Sequence, residues 1–200
     1  MKKTKILVIG DIHGDVSLVK RFAKKAEREN VDLVILPGDL TFFEQSTKNL
    51  IGPFTKVGKP VLLLHGNHET LETSKRLSEM YPNVKNLHGY SLKKNNLGIF
   101  GAGGTPFGSS AEKKIFNVLK KGNEKVKGLD KKIMITHMHA ANSMSEFSGF
   151  PGSDGIRKAI ETFKPDLFIH AHIHEAEGIE EKIGKTRVVN VGRRGRIFEF

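Results

Sequence analysis

Lys5-Ile6-Leu7-Val8-Ile9-Gly10-Asp11-Ile12-His13-Gly14 runs from an unbroken apolar segment straight into a carboxylate and an imidazole one residue apart. A short apolar run closed by glycine reads as a strand buried on both faces, the kind that parallel sheets use. The chain repeats the arrangement. Leu33-Val34-Ile35-Leu36 leads to Gly38-Asp39, and Val61-Leu62-Leu63-Leu64 to Gly66-Asn67-His68-Glu69. Ile133-Met134-Ile135 leads to Thr136-His137, and Leu167-Phe168-Ile169 to His172-Ile173-His174. Strands lying parallel would bring all five ends to one edge, where open α/β sheets keep their sites. Oxygen and imidazole donors gathered there are the chemistry of a metal site.

Between these runs the periodicity changes. Val16 to Asn30 places Leu18, Val19, Phe22, Ala23 and Ala26 on one helical face, with charged residues opposite. Glu69 to Met80 predicts a shorter helix. Ile115, Phe116, Val118 and Leu119 mark a third, and Ile156, Ala159, Ile160 and Phe163 a fourth before Pro165. Tyr90-Ser91-Leu92 and Leu97-Gly98-Ile99-Phe100 flank a turn and predict a hairpin. Gly184-Lys185 predicts another between Ile179–Ile183 and Arg187–Val191, followed by a strand over Arg196–Phe200. Thr41 to Gly58 and Met138 to Gly155 read as surface loops over the site. No repeat, low-complexity tract or separating linker interrupts the chain, so residues 1–200 read as a single layered α/β domain.

The composition narrows the function classes. The absence of cysteine excludes disulfides and thiolate metal sites and leaves only oxygen and nitrogen ligands. Met1-Lys2-Lys3-Thr4-Lys5 passes into the first strand without signal-peptide architecture, and the apolar runs are too short to span a bilayer. A cytoplasmic protein with no membrane segment is expected. The net charge of +11 is what a polyanionic partner would favour. The lysines are scattered, however, and read as a solvated surface. Only Arg193-Arg194-Gly195-Arg196 is a compact basic cluster, and charge alone decides nothing.

Alternate residues of an extended segment point the same way, so Asp11 and His13 can reach one ion, and His172 and His174 can approach a common centre. Asp-x-His, Gly-Asp, Gly-Asn-His-Glu, a lone strand-end His and a final His-x-His, in that order, resemble the calcineurin-like metallophosphoesterases over residues 5 to 192. The resemblance implies an α/β fold of layered mixed β-sheets flanked by helices, with a dinuclear metal site at the strand C-terminal ends. It implies one ion held by Asp11, His13 and His174, a second by Asn67, His137 and His172, and Asp39 bridging both. Such ions stand about 3.5–4 Å apart and clamp the attacking and leaving oxygens of an in-line displacement. The implied nucleophile is a metal-bridging hydroxide. His68 would be catalytic, contacting the phosphoryl oxygens and protonating the departing alkoxide. Two divalent transition-metal ions are implied, manganese foremost, with iron, nickel or zinc as alternatives; magnesium suits this many imidazoles poorly. His65, His88, His139 and His170 read as packed side chains, with His139 and His170 close enough in sequence to support the ligands.

Two positions depart from the family pattern. Ala171 stands where glycine is usual, and a positive φ there would strain the backbone by about 1 kcal/mol. Phe42 stands where the protein phosphatases of the superfamily carry the aspartate that orients the catalytic histidine, leaving Glu69 or Glu44 as substitutes. The tail, His172-Ile173-His174-Glu175-Ala176 with Val189-Asn190-Val191-Gly192, resembles the small phosphodiesterase branch related to cyclic-nucleotide enzymes. The expected activity is therefore hydrolysis of a cyclic-nucleotide or small nucleotide-like phosphodiester. The alternatives are a DNA-processing nuclease, with nucleic acid as a less favoured partner, a phosphomonoesterase, and a non-catalytic scaffold. The oligomeric state stays open, a dimer among the options. Phe42 and Phe43 read as core or interface side chains; Phe107, Phe147 and Phe150 fit a base-stacking pocket equally well.

Overall fold

The computed structural model describes residues 3–200; Met1 and Lys2, part of the basic N-terminus read above, lie outside the described residues. The strands sort into two layered mixed sheets, as the resemblance implies. The first contains β1 (Lys5–Val8), β2 (Leu33–Leu36), β3 (Val61–Leu63), β4 (Val84–Asn86) and β11 (Arg196–Glu199), in the order β11-β1-β2-β3-β4. The second contains β5 (Ser91–Lys94), β6 (Leu97–Ala102), β7 (Lys131–Thr136), β8 (Leu167–His170), β9 (Glu180–Ile183) and β10 (Thr186–Asn190), in the order β5-β6-β7-β8-β10-β9. Parallel pairs form the middle of each sheet, and β11, β5 and β9 run antiparallel at edges.

Period-two alternation explains how both sheets are buried on both faces. Ile6, Val8, Leu33, Ile35, Leu62 and Leu64 from the first sheet meet Ile99, Ile133, Ile135, Leu167, Ile169 and Val189 from the second. The intervening Leu7, Ile9, Val34, Leu36 and Leu63 point the other way, onto helices. Those are α1 (Val16–Arg28), α2 (Gly52–Lys56) and α3 (Leu71–Glu79). On the far side Phe100, Met134, Phe168 and Val188 pack against α4 (Ser109–Lys125) and α5 (Asp154–Phe163). The result is four layers, helix, sheet, sheet, helix. Each large side chain buried in them contributes roughly 1.5–3 kcal/mol.

The anticipated helices and both hairpins are present, with ends shifted by a few residues. The segment Thr41 to Gly58 is not simply a surface loop: Leu50, Ile51 and Phe54 are fully buried and seat α2 against the core. Phe42 and Phe43 are not core side chains, since both are exposed. Among the described residues no helix is long and apolar enough to cross a membrane.

Candidate metal centre

Where the two sheets meet, their C-terminal strand ends lie against each other. Asp11, Asp39 and Asn67 follow β1, β2 and β3 of one sheet; His137, His172 and His174 follow β7 and β8 of the other. The turns that carry them are not extended. Asp11, His13, Asp39 and His172 all have left-handed backbones, with φ of 51°, 48°, 51° and 73°. Extended alternation therefore does not describe these segments: tight turns aim the side chains, bringing Asp11 and His13 into one donor group and placing His172 and His174 in two different ones. Aspartate and histidine enter the left-handed region more readily than most residues. Neighbouring turns hold one another: His13 N donates to Asp39 O at 2.9 Å, Gly14 N to Leu40 O at 2.8 Å, and Ala171 N to His137 O at 3.1 Å.

Ala171 itself has no positive φ, so the anticipated strain is absent. Its methyl group instead fills space above Gly10, where an added Cβ would come within 2.7 Å of the Ala171 Cβ. The glycine that permits the close approach is in the first motif, not the last.

Asp11, His13 and His174 offer donor atoms that all lie within 4.8 Å of one another, and so do Asp39, His137 and His172. Asn67 Oδ1 adds to the second group, 3.0 Å from His137 Nε2. Asp39 stands between the groups, with Oδ2 3.7 Å from His13 Nε2 and Oδ1 3.4 Å from His137 Nε2. Backbone N–H groups of Asn67 and His68 donate to Asp39 Oδ1 at 2.9 and 3.0 Å and fix its orientation. His137 Nδ1 faces the Pro37 carbonyl at 3.1 Å, which leaves Nε2 with its lone pair toward the centre.

The electrostatics of this cluster are those of a cation site. Burial, reinforced by the Asp39 charge, pushes the Asp11 carboxyl up to about 8. Burial also holds His13 down at about 4 despite the Asp39 carboxylate, and His172 down at about 3. For Asp39 burial acts upward, but His137, the His68 N–H and His13 outweigh it and leave the carboxyl below its ordinary range. Neutral imidazoles are ligands in waiting. Asp11 Oδ2 is buried with no hydrogen-bond partner among the described residues, and His13 Nε2 faces His174 Nε2 at 3.1 Å. A buried orphan carboxylate oxygen beside two converging imidazole nitrogens fits divalent transition metals well.

His68 lies beside this centre, Nε2 3.9 Å from Asp39 Oδ2. Its Nδ1 is buried without a partner among the described residues. Neither proposed substitute for the missing aspartate serves it. Glu69 accepts from Gly66 N at 2.8 Å, Thr41 N at 3.0 Å and Thr41 Oγ1 at 3.2 Å. Glu44 accepts from Thr70 N at 2.8 Å and Thr73 Oγ1 at 2.7 Å. His68 is held instead by aromatic packing, with the Phe42 and Phe43 ring centroids 5.3 and 4.1 Å from its own.

Several supporting residues escaped the sequence reading. Thr41 Oγ1 donates to the His68 carbonyl at 2.9 Å. Arg193 reaches the carbonyls of Asp11 and Ile12 while pairing with Asp15 at 2.7 Å; in sequence it was visible only as part of a charge cluster. Asn190, which belongs to the tail motif, is buried and donates to the Ile173 carbonyl at 2.8 Å, bracing the turn between His172 and His174. His139 stacks near His172, centroids 6.2 Å apart. His65 and His88 pack together at 5.1 Å.

His13, Asp39, Asn67, His68, His172 and His174 line a cavity of about 220 Å³, completed by Phe150, Ile173 and Glu175. Among the described residues no lysine or arginine lines it.

A model of the calcineurin-like phosphoesterase family matches residues 4–176. The protein MJ1162 of Methanocaldococcus jannaschii is 30% identical over 199 residues, covering 95% of this chain and 88% of that one. Among solved structures, TT1561 of Thermus thermophilus superposes with a TM-score of 0.76 at 18% identity, over 98% of both chains. A protein described as a novel archaeal phosphodiesterase superposes with a TM-score of 0.58 at 16% identity, over 98% of this chain and all of its own. At those identities the likeness to the solved structures concerns the fold.

Proposed function

The chain belongs to the calcineurin-like phosphoesterases, and from that membership we propose that it is a dinuclear metal-dependent phosphodiesterase for small, singly charged diesters of cyclic-nucleotide or nucleotide-like type. Asp11, His13 and His174 would hold one divalent cation, Asn67, His137 and His172 the other, and Asp39 both. Bound there, the pair would supply Lewis acidity to the phosphoryl oxygens and lower the pKa of the attacking water. Mixed imidazole and oxygen donors suit manganese, iron, nickel or zinc.

The protein's own groups divide the remaining work. The hydrogen-bonded Asp39 carboxylate and the turns around it keep the donors in place before substrate arrives. With Nδ1 buried, His68 meets the substrate through Nε2, where its proton can pass to the departing alkoxide. Packing against Phe42 and Phe43 fixes that ring without a carboxylate behind it.

The cavity lining carries the choice of a diester. A phosphomonoester brings a second negative charge that basic side chains would have to balance, and among the described residues no lysine or arginine lines this site while Glu175 does. A diester monoanion needs no such help beyond the metals. The small cavity also suits a small substrate better than a nucleic-acid duplex, and the arginine cluster that would favour a nuclease lies outside it.

The test is hydrolysis of bis-p-nitrophenyl phosphate against p-nitrophenyl phosphate by manganese-loaded protein. We expect metal-dependent turnover with the diester preferred. His68→Ala should lower turnover of an alkyl diester, whose departing alkoxide needs the proton, by about 10²–10⁴-fold, the usual range for a lost general acid, and of the nitrophenyl diester by less. Preference for the monoester would move the assignment to phosphatase. Inactivity on both would leave the scaffold reading in front.

A further inference from the structure

Three phenylalanines stand in the open beside the donor cluster, Phe150 lining the cavity and Phe42 and Phe43 packed on the His13 and His68 rings next to it, and none is needed to close the core. Phe42, Phe43 and Phe150 are 45%, 65% and 61% exposed. Phe42 lies 6.1 Å from His13 and Phe43 4.1 Å from His68, centroid to centroid, while Phe150 lies 6.5 Å from His172. Aromatic faces therefore flank the donor cluster at its His13–His68 side and at its His172 side.

Both aromatic loops are pinned. Phe43 and the following Glu44 have φ of 48° and 58°, and a bulky aromatic residue at positive φ persists only where its surroundings impose it. Here Glu44 imposes it. Its N–H donates to the His68 carbonyl at 3.1 Å, and its carboxylate accepts from Thr70 and Thr73 at the start of α3. At the other side the Phe150 carbonyl faces His139 Nε2 at 3.2 Å. Two residues on, Gly152 passes so close to the chain that an added Cβ would meet Ala140 O at 2.2 Å. Exposed apolar surface at a polar site, presented on braced and strained turns, is a feature of ligand recognition.

We propose that Phe42, Phe43 and Phe150 form an aromatic subsite that receives the planar ring of one ester group, an aryl or nucleobase substituent, while the phosphoryl group lies among the imidazoles. The choice of an ester substrate rests on the phosphodiesterase reading; the recognition of a ring does not. Flat rigid rings stack on such faces with little ordering cost.

Two paired comparisons test it on manganese-loaded protein. Calorimetric binding of methyl phenylphosphonate is compared with that of methyl methylphosphonate, both singly charged, and hydrolysis of phenyl p-nitrophenyl phosphate with that of methyl p-nitrophenyl phosphate, which share a leaving group. The phenyl member should be favoured by about tenfold in each pair, the scale of a stacking contact. Phe43→Leu and Phe150→Leu should bring that ratio toward unity, and Phe107→Leu, outside the cavity, should not. Equal treatment of both members by the wild type, failure to bind either phosphonate, or a preference that survives both variants would overturn the proposal. So would a dimer in sedimentation that those variants dissociate without changing the ratio, which would assign the rings to contacts between copies. Preference in binding without turnover of either diester would keep the subsite and sink the phosphodiesterase reading. Turnover of both without preference would do the reverse.

Discussion

A methyl group on Gly66 would lie 2.0 Å from Asp39 Oδ1 and 2.5 Å from its backbone nitrogen, so Asp39 leaves no room for a side chain there. Gly66→Ala should displace Asp39 and lower diester turnover by at least about 100-fold, the cost of about 1 Å of misplacement, with metal content falling in parallel. Glu69→Ala strips the buried Thr41 and Gly66 N–H groups of their acceptor and should cost about 2–4 kcal/mol in urea unfolding. Asp11 gives the site a pH dependence. In the metal-free fold its carboxyl sits near 8, so the fold favours its neutral form. That contribution to stability is complete below about pH 4, the ordinary aspartate value, and is lost as pH rises through 8. A cation must displace the same proton, so affinity should rise about tenfold per pH unit below 8, with about one proton released per chain. Calorimetry in buffers of differing ionisation enthalpy reads both. The candidate donors that the structure brings together were legible in the sequence because Asp, Asn and His at strand ends are chemically distinct from the runs before them. The posture of His68 was not, because aromatic packing by Phe42 and Phe43 leaves no polar signature.

Elements hold the donors through their caps. Asp15 caps α1 by accepting from Leu18 N at 2.9 Å, and its other oxygen binds Arg193, which braces the Asp11 and Ile12 carbonyls. Asp15→Ala should cost about 1 kcal/mol of stability from the cap. It should also weaken metal binding, which Arg193→Ala should reproduce without the cap loss; thermal melts with and without manganese separate the two. Helices with a regular apolar face were readable, since α1 buries Leu18, Val19, Phe22, Ala23 and Ala26. The brief β4 and α2 were not. Val84-Lys85-Asn86 is too short to show a period, and Gly52-Pro53 opens α2 with residues that ordinarily signal a turn.

At the scale of the whole molecule, the sequence showed five strand ends but not their division between two sheets. Apolar runs buried on both faces look alike whichever neighbours they pair with. That division places the centre at a seam, so the metals would cross-link the sheets. Loading each site at about 100 times its Kd should raise stability by about 2.7 kcal/mol per ion, seen as a higher Tm that chelation reverses. The net charge of +11 draws anions toward the protein, so kcat/KM for a diester should fall as ionic strength rises.

Two metals acting together on a diester is the chemistry proposed for this seam. Its most direct measurement is metal content by elemental analysis, taken with bis-p-nitrophenyl phosphate turnover, as manganese is titrated into metal-free protein. Activity should rise only with the second of about two equivalents, and Asp39→Asn should lose both tight binding and turnover. Full activity at one equivalent, or in the Asp39→Asn protein, would contradict it.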